Sequence, residues 1–205
     1  MTVQEYSTKV WVFYLRLEKD FIESLNYVEF AEDNFTAYSI EFERMLLAVC
    51  SEVDVLCKLL CKEIAPTESP SKILEYANIL CGYNDFSVCE VRFEKTGEIF
   101  KPFSNLTTTD TPTWWKAYNK VKHERTDDDN YKKGNLENVF KSLAALYALN
   151  RYYCRKIATS RVFNEPVPKS QLFNMVGWRS SVSLGNGFAH VLDPNGGMSI
   201  VHDNS

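Results

Sequence analysis

Apolar residues recur at three- and four-residue steps along several stretches of the chain, the spacing of helices that bury one face. Val10, Phe13, Leu17, Phe21 and Leu25 mark a first helix over residues 9–25, followed by an aromatic and acidic break at 26–34. Phe42, Met45, Leu46, Val49, Val53, Leu56 and Leu60 give a longer stripe over residues 39–63. Pro66 ends it, and Glu68-Ser-Pro70 opens a loop. Residues 71–80 form a third, shorter helix stopped at Gly82. Leu136, Val139, Phe140, Leu143, Leu146, Tyr147 and Tyr153 supply the stripe of a last helix over about 134–158. At ~1.5 Å per residue it spans about 36 Å, matching the helix of residues 39–63. Two long helices with shorter ones between them suggest an antiparallel, up-and-down bundle.

Two regions break this period. Val88-Cys-Glu-Val-Arg-Phe93 alternates between faces, Glu94-Lys-Thr-Gly97 is a turn signal, and Glu98-Ile-Phe-Lys101 returns before Pro102. This predicts a β-hairpin over about 86–103, inserted between helices. After Arg161 the helical pattern is lost, and Pro166 and Pro168 mark a linker. Ser181-Val-Ser-Leu184, Phe188-Ala-His-Val-Leu192 and Met198-Ser-Ile-Val201 read as short strands separated by Gly-Asn-Gly and Asp-Pro-Asn-Gly-Gly turns. The expected architecture is therefore mostly α. A helical domain over 1–160 carries the hairpin, and a small irregular or β appendage follows over 161–205.

The stretch from Thr111 to Arg125 carries the candidate chemistry. Pro112 suits a first helical turn, with Asp110 or Thr111 as cap. On a helical wheel Trp114, Ala117, Tyr118 and Val121 share the apolar face; Lys116, Asn119 and His123 lie roughly opposite, with Trp115 and Lys122 between. His123 is the only histidine before residue 190. Arg125 falls on the apolar side of the same wheel. Thr126-Asp-Asp-Asp-Asn130 ends the helix. Its three carboxylates read as a solvated loop or, less readily, as a divalent-ion site, since adjacent side chains diverge.

Composition narrows the function. The 205 residues are 45% apolar and 24% charged, as in an ordinary globular protein, and no apolar run has the length of a membrane span. The first residues, Met-Thr-Val-Gln-Glu-Tyr, lack a signal peptide's basic and apolar regions, so a cytoplasmic location is expected. A net charge of −4 argues against an overall basic nucleic-acid coat but permits a local basic patch. Six cysteines form no Cys-x-x-Cys pair and have no histidine at zinc-ligand spacing, so reduced core thiols are expected rather than a metal site. No phosphate-binding loop, dinucleotide glycine fingerprint or nucleophilic serine elbow is present.

Three segments together resemble bacterial HEPN-like proteins, the "higher eukaryotes and prokaryotes nucleotide-binding" superfamily. They are Ser39-Ile-Glu-Phe-Glu-Arg…Ser51-Glu-Val-Asp54, Trp114-Trp-Lys-Ala-Tyr-Asn-Lys-Val-Lys-His-Glu-Arg125 and Asn135-Leu-Glu-Asn-Val…Leu143-Ala-Ala-Leu146. The resemblance covers about residues 35–160. It implies a helical bundle and, for many members, metal-independent ribonuclease activity in toxin–antitoxin or phage-defence systems. The family signature is an arginine, often with a polar residue next to it, and after a gap a histidine. Two subunits commonly bring their motifs together. The resemblance matches Asn119 to the polar residue and His123 to the histidine. The arginine position falls on Tyr118 or, with a stretched spacing, on Lys116.

Metal-free RNA cleavage needs a base for the 2′-hydroxyl, an acid for the 5′-oxygen and a cation for the phosphorane. His123 suits acid or base. Lys116, Lys120 or Lys122 could hold phosphate, as a point charge rather than the arginine fork, whereas Tyr118 offers no charge. Glu52, beside the long stripe, could orient His123 or a lysine, or pair with Arg44 or Arg155. Trp114 and Trp115 suit packing, with base stacking as the alternative. His123, Lys122 and Arg125 could also simply complement the helix dipole. Two functions follow from the resemblance. One is an RNA-binding protein or metal-independent endoribonuclease, homodimeric, without cofactor, with an antitoxin-like protein partner. The other is a non-catalytic interaction or nucleotide-binding module.

Overall fold

A computed structural model describes residues 1–158, 165–185, 188–192 and 197–202. Its first helical rod is α1 (Val3–Tyr6), a π-turn (Ser7–Trp11) and α2 (Val12–Ser24). It begins six residues before the expected start because Thr2 and Glu5 form a reciprocal capping box there. Its buried stripe is Tyr6, Val10, Tyr14, Leu17 and Phe21, with Trp11 beside it. Phe13, expected inside, is exposed.

Helix α3 (Ile40–Ile64) starts where the Ser39 hydroxyl accepts the Phe42 amide at 3.1 Å, and α4 (Ile73–Leu80) follows the Pro66 loop. The hairpin is shorter than expected: β1 (Val91–Phe93) pairs antiparallel with β2 (Ile99–Phe100), around a turn in which Gly97 takes φ +79°. Then come α5 (Thr113–Glu124) and α6 (Leu136–Ile157), the latter capped by the Asn135 side chain on the Asn138 amide at 3.0 Å.

Successive long helices alternate in direction. Asp20, near the end of α2, meets Arg44 near the start of α3, and Arg125, just past α5, meets Glu43. The two longest helices, however, run parallel rather than antiparallel. Tyr38 and Asn135, just before α3 and α6, form a backbone bridge, and the Leu136 amide donates to the Ala37 carbonyl at 2.9 Å. Farther along, Cys50 lies against Ser142. The reason is topological: α5 runs back between them, so α6 starts at the end where α3 started. Gly134 is required at this junction. A Cβ there would lie 2.3 Å from Glu43 Cγ and 2.7 Å from its Cα.

The core centres on Phe140 of α6. Its ring lies 4.5 Å from Phe30, 5.0 Å from Phe93 and 4.9 Å from Phe100, centroid to centroid. A third strand, β3 (Phe173–Met175), pairs antiparallel with the free edge of β1 and puts Phe173 5.3 Å from Phe140. So part of the segment assigned to an appendage, including Leu172, Phe173 and Met175, belongs to the main core. The three tail strands are present as a separate antiparallel sheet: β4 (Ser180–Gly185), β5 (Phe188–Leu192) and β6 (Met198–His202). The turns expected at 186–187 and 193–196 lie outside the described residues. Five of the six cysteines are buried and all are free thiols; burial pushes Cys50 and Cys57 well above their ordinary range. No described helix is long and apolar enough to cross a membrane.

Candidate functional site

Helix α5 buries Trp114, Trp115, Ala117, Tyr118 and Val121. The aromatic members pack on one another: Trp114 and Trp115 meet edge-on at 5.8 Å, and Trp115 lies 5.0 Å from Tyr118. The Trp114 indole N–H donates to the Pro102 carbonyl at 3.0 Å, as a buried indole must donate somewhere. Both tryptophans are thus packing residues, unavailable as stacking platforms for bases. Tyr118, in the family's arginine position, is buried, and its ring carries the Lys122 ammonium 5.3 Å from the centroid.

The opposite face is left to solvent. His123 is exposed and Asn119 half-buried. The lysines beside them are already engaged. Asp110, before the helix, does not cap it; its carboxylate accepts the Thr111 amide at 2.8 Å and binds Lys116 Nζ at 2.6 Å. These contacts hold the Asp110 carboxyl below its usual range, first through Lys116. Lys120 pairs with Glu124, which raises its pKa, with Asp128 and Asp127 adding to the effect. The basic ridge therefore carries its own counter-charges.

The helix ends at Glu124, whose carbonyl accepts the Asn130 side-chain amide at 2.9 Å. Arg125, the next residue, keeps helical backbone angles, but its side chain is exposed rather than packed on the apolar side. It faces Glu43 at 4.0 Å. The aspartates at 127–129 form a turn with Asp128 and Asp129 at positive φ, and Asp129 binds Lys132 at 2.6 Å. Among the described residues no group of three or more His, Cys, Asp or Glu side chains is placed to hold a metal.

Glu52 is half-buried, and burial alone raises its carboxyl above 4.5, with no neighbouring charge contributing. It is therefore not positioned as an orienting partner of His123 or of a lysine. Arg44 is taken by Glu41 and Asp20, and Arg155 lies over the Trp178 ring at 4.6 Å. Because the native state holds the Glu52 proton to higher pH than the unfolded chain, stability falls as pH rises through and above 4.5. Glu52→Gln is expected to raise the urea midpoint at pH 7 and to give no gain at about pH 3.5, where both forms are uncharged. An equal gain at both pH values would show that the change acts through packing.

The chain has a second polar cluster, which the sequence reading passed over. Arg151 of α6 is buried and donates through Nη1 to the Tyr147 hydroxyl and to Glu165, each at 3.0 Å. Glu18 of α2, also buried, accepts from the Tyr14 and Ser170 hydroxyls and from the Gln171 and Leu172 amides. The available signal was a charge inside each apolar stripe: Arg151 four residues after Tyr147, and Glu18 next to Leu17. Comparison of the chain with family models, with curated proteins and with solved structures returned no match.

Proposed function

We propose that the exposed face of α5 is the working surface of a HEPN-like, metal-independent endoribonuclease, acting on RNA in a stress, toxin–antitoxin or phage-defence setting. The observation that supports this is the division of α5: every aromatic ring is turned into the core, and Asn119 and His123 are left at the surface. His123 takes the proton of a 2′-hydroxyl, the 2′-oxygen attacks the adjacent phosphorus, and the 5′-oxygen leaves with a proton. The products are a 2′,3′-cyclic phosphate and a free 5′-hydroxyl. One imidazole cannot hold both protonation states at once, so a second subunit supplies the other His123. Asn119 orients the phosphate, and Lys122 and Arg125 are the cations nearest in sequence to His123.

His123→Ala is expected to lower cleavage of structured RNA in chelator-treated buffer by about 10²–10⁴-fold, the range of general acid–base catalysis. The residue is exposed, so the melting temperature should not move. Equal cleavage by both proteins would remove His123 from the reaction.

The Asp110–Lys116 and Glu124–Lys120 pairs favour a second reading. A phosphate would have to displace two carboxylates to reach those lysines, which suits a non-catalytic bundle that meets a nucleotide or an antitoxin-like protein. RNA binding by wild type and His123→Ala alike, with cleavage by neither, would select it.

A further inference from the structure

The buried Arg151 cluster borders a cavity of about 150 Å³ that the α5 surface does not use. It is lined by Arg151 and Tyr147 of α6, by Trp11 from the π-turn and by Phe173 from β3. Lys169 and Glu165 of the C-terminal segment also line it. π-Turns inside helices often mark functional positions. Here the turn spans the residue that walls the cavity, with the Trp11 ring stacked at 4.5 Å on Tyr14 and its N–H fixed to the Pro168 carbonyl at 2.7 Å.

Among the described residues the lining carries two cations, Arg151 and Lys169, two carboxylates, Glu94 and Glu165, and one donor without an acceptor. Arg151 and Lys169 share one buried carboxylate, Glu165, at 3.0 Å each. Glu94 stands at the exposed rim. Arg151 Nε, fully buried, has no acceptor. Buried guanidinium N–H groups are ordinarily all satisfied. The cavity is thus bordered by a buried guanidinium whose Nε–H has no acceptor, a donor that an anionic ligand's oxygen would satisfy. A volume of about 150 Å³ is that of a single benzene-sized body, and flat walls such as Trp11 and Phe173 suit a planar one.

We propose that this cavity binds a small organic carboxylate. The anionic head pairs with Arg151 and Lys169, and the planar apolar body lies between Trp11 and Phe173. Arginine favours carboxylate because its N–H groups match two oxygens at once.

The test is calorimetric titration of the full chain with benzoate, beside its neutral analogue benzamide and inorganic phosphate. Benzoate should bind at one site per chain with a dissociation constant near or below about 1 mM, within reach of so small a ligand. Benzamide should bind at least about tenfold more weakly, having lost the charge-assisted contacts. Lys169→Gln should weaken benzoate about tenfold, by removing one such contact. Lys169 is half-exposed, so this variant keeps its fold, which circular dichroism checks. Arg151→Lys, if it too remains folded, should abolish benzoate binding while keeping the charge. Benzoate and benzamide binding alike, phosphate binding more tightly than benzoate, unchanged affinity in Lys169→Gln, or no saturable heat with benzoate would each overturn the proposal.

Discussion

Phe140→Ala is expected to destabilise the protein by about 3–5 kcal/mol, the range for a phenylalanine removed from a packed core. The residue is almost wholly buried, and five other phenylalanine rings have centroids within 6 Å of its own: Phe21, Phe30, Phe93, Phe100 and Phe173. Those rings come from α2, the turn after it, β1, β2 and β3. No single neighbour can move into the gap without leaving another contact, so relaxation should be small and the cavity penalty large. For a chain of this size the melting temperature should fall by about 6–20 °C. Phe13→Ala is the matched control: that ring is exposed, and the change should cost less than about 0.5 kcal/mol. Urea denaturation of both variants checks the pair. A loss under about 1.5 kcal/mol in Phe140→Ala would mean that the sheet is held to the bundle by something other than this ring.

Glu18→Ala should cost about 2–5 kcal/mol, and the loss should be concentrated at one place. The carboxylate accepts the amides of Gln171 at 3.1 Å and Leu172 at 3.2 Å, together with the Tyr14 and Ser170 hydroxyls. The hydroxyls can turn to other acceptors. The two amides cannot, and a stranded buried donor costs about 1–3 kcal/mol. Glu18 thus acts as a clasp between α2 and the segment that leads into β3. Hydrogen exchange should speed up at Gln171, Leu172 and the β3 amides well before it changes in α3 or α6. Unaltered protection at 171 and 172 would show that the segment is retained by β-pairing and ring packing alone.

Much of this architecture was legible in the order of residues, and the failures have physical causes. The stripes of α3 and α6 are long enough for a 3.6-residue period to stand out, and Ser39 and Asn135 cap where such residues should. The first helix was misjudged at Phe13 because 10-13-17-21 and 10-14-17-21 are both permitted helical rows. Packing on Tyr147 and the bond to Glu18 select Tyr14. Strand β3 left no trace because three residues, Phe-Asn-Met, acquire strand geometry only from the free edge of β1. The parallel course of α3 and α6 depends on which end a loop returns to, which periodicity does not encode. On α5 the wheel separated the buried rings from Asn119 and His123. It could not show that Asp110, outside the helix, neutralises Lys116, nor that Arg125 reaches out to Glu43 and stays exposed. Arg151 and Glu18 were passed over because a charge within an apolar row is easily taken for a residue at its margin.

Strand β1 is bordered on one side by β2, six residues away along the chain, and on the other by β3, which follows some eighty residues later. During translation, at about 5–20 residues per second, the hairpin emerges roughly 4–16 s before its third strand exists. Throughout that interval the nascent chain carries an unpaired β edge at Phe93, which Phe140 joins only once α6 has been made. The helices can assemble as they leave the ribosome, but the sheet closes only when residues 173–175 arrive. Ribosome-bound chains truncated between 103 and 170 are therefore the forms most in need of a chaperone.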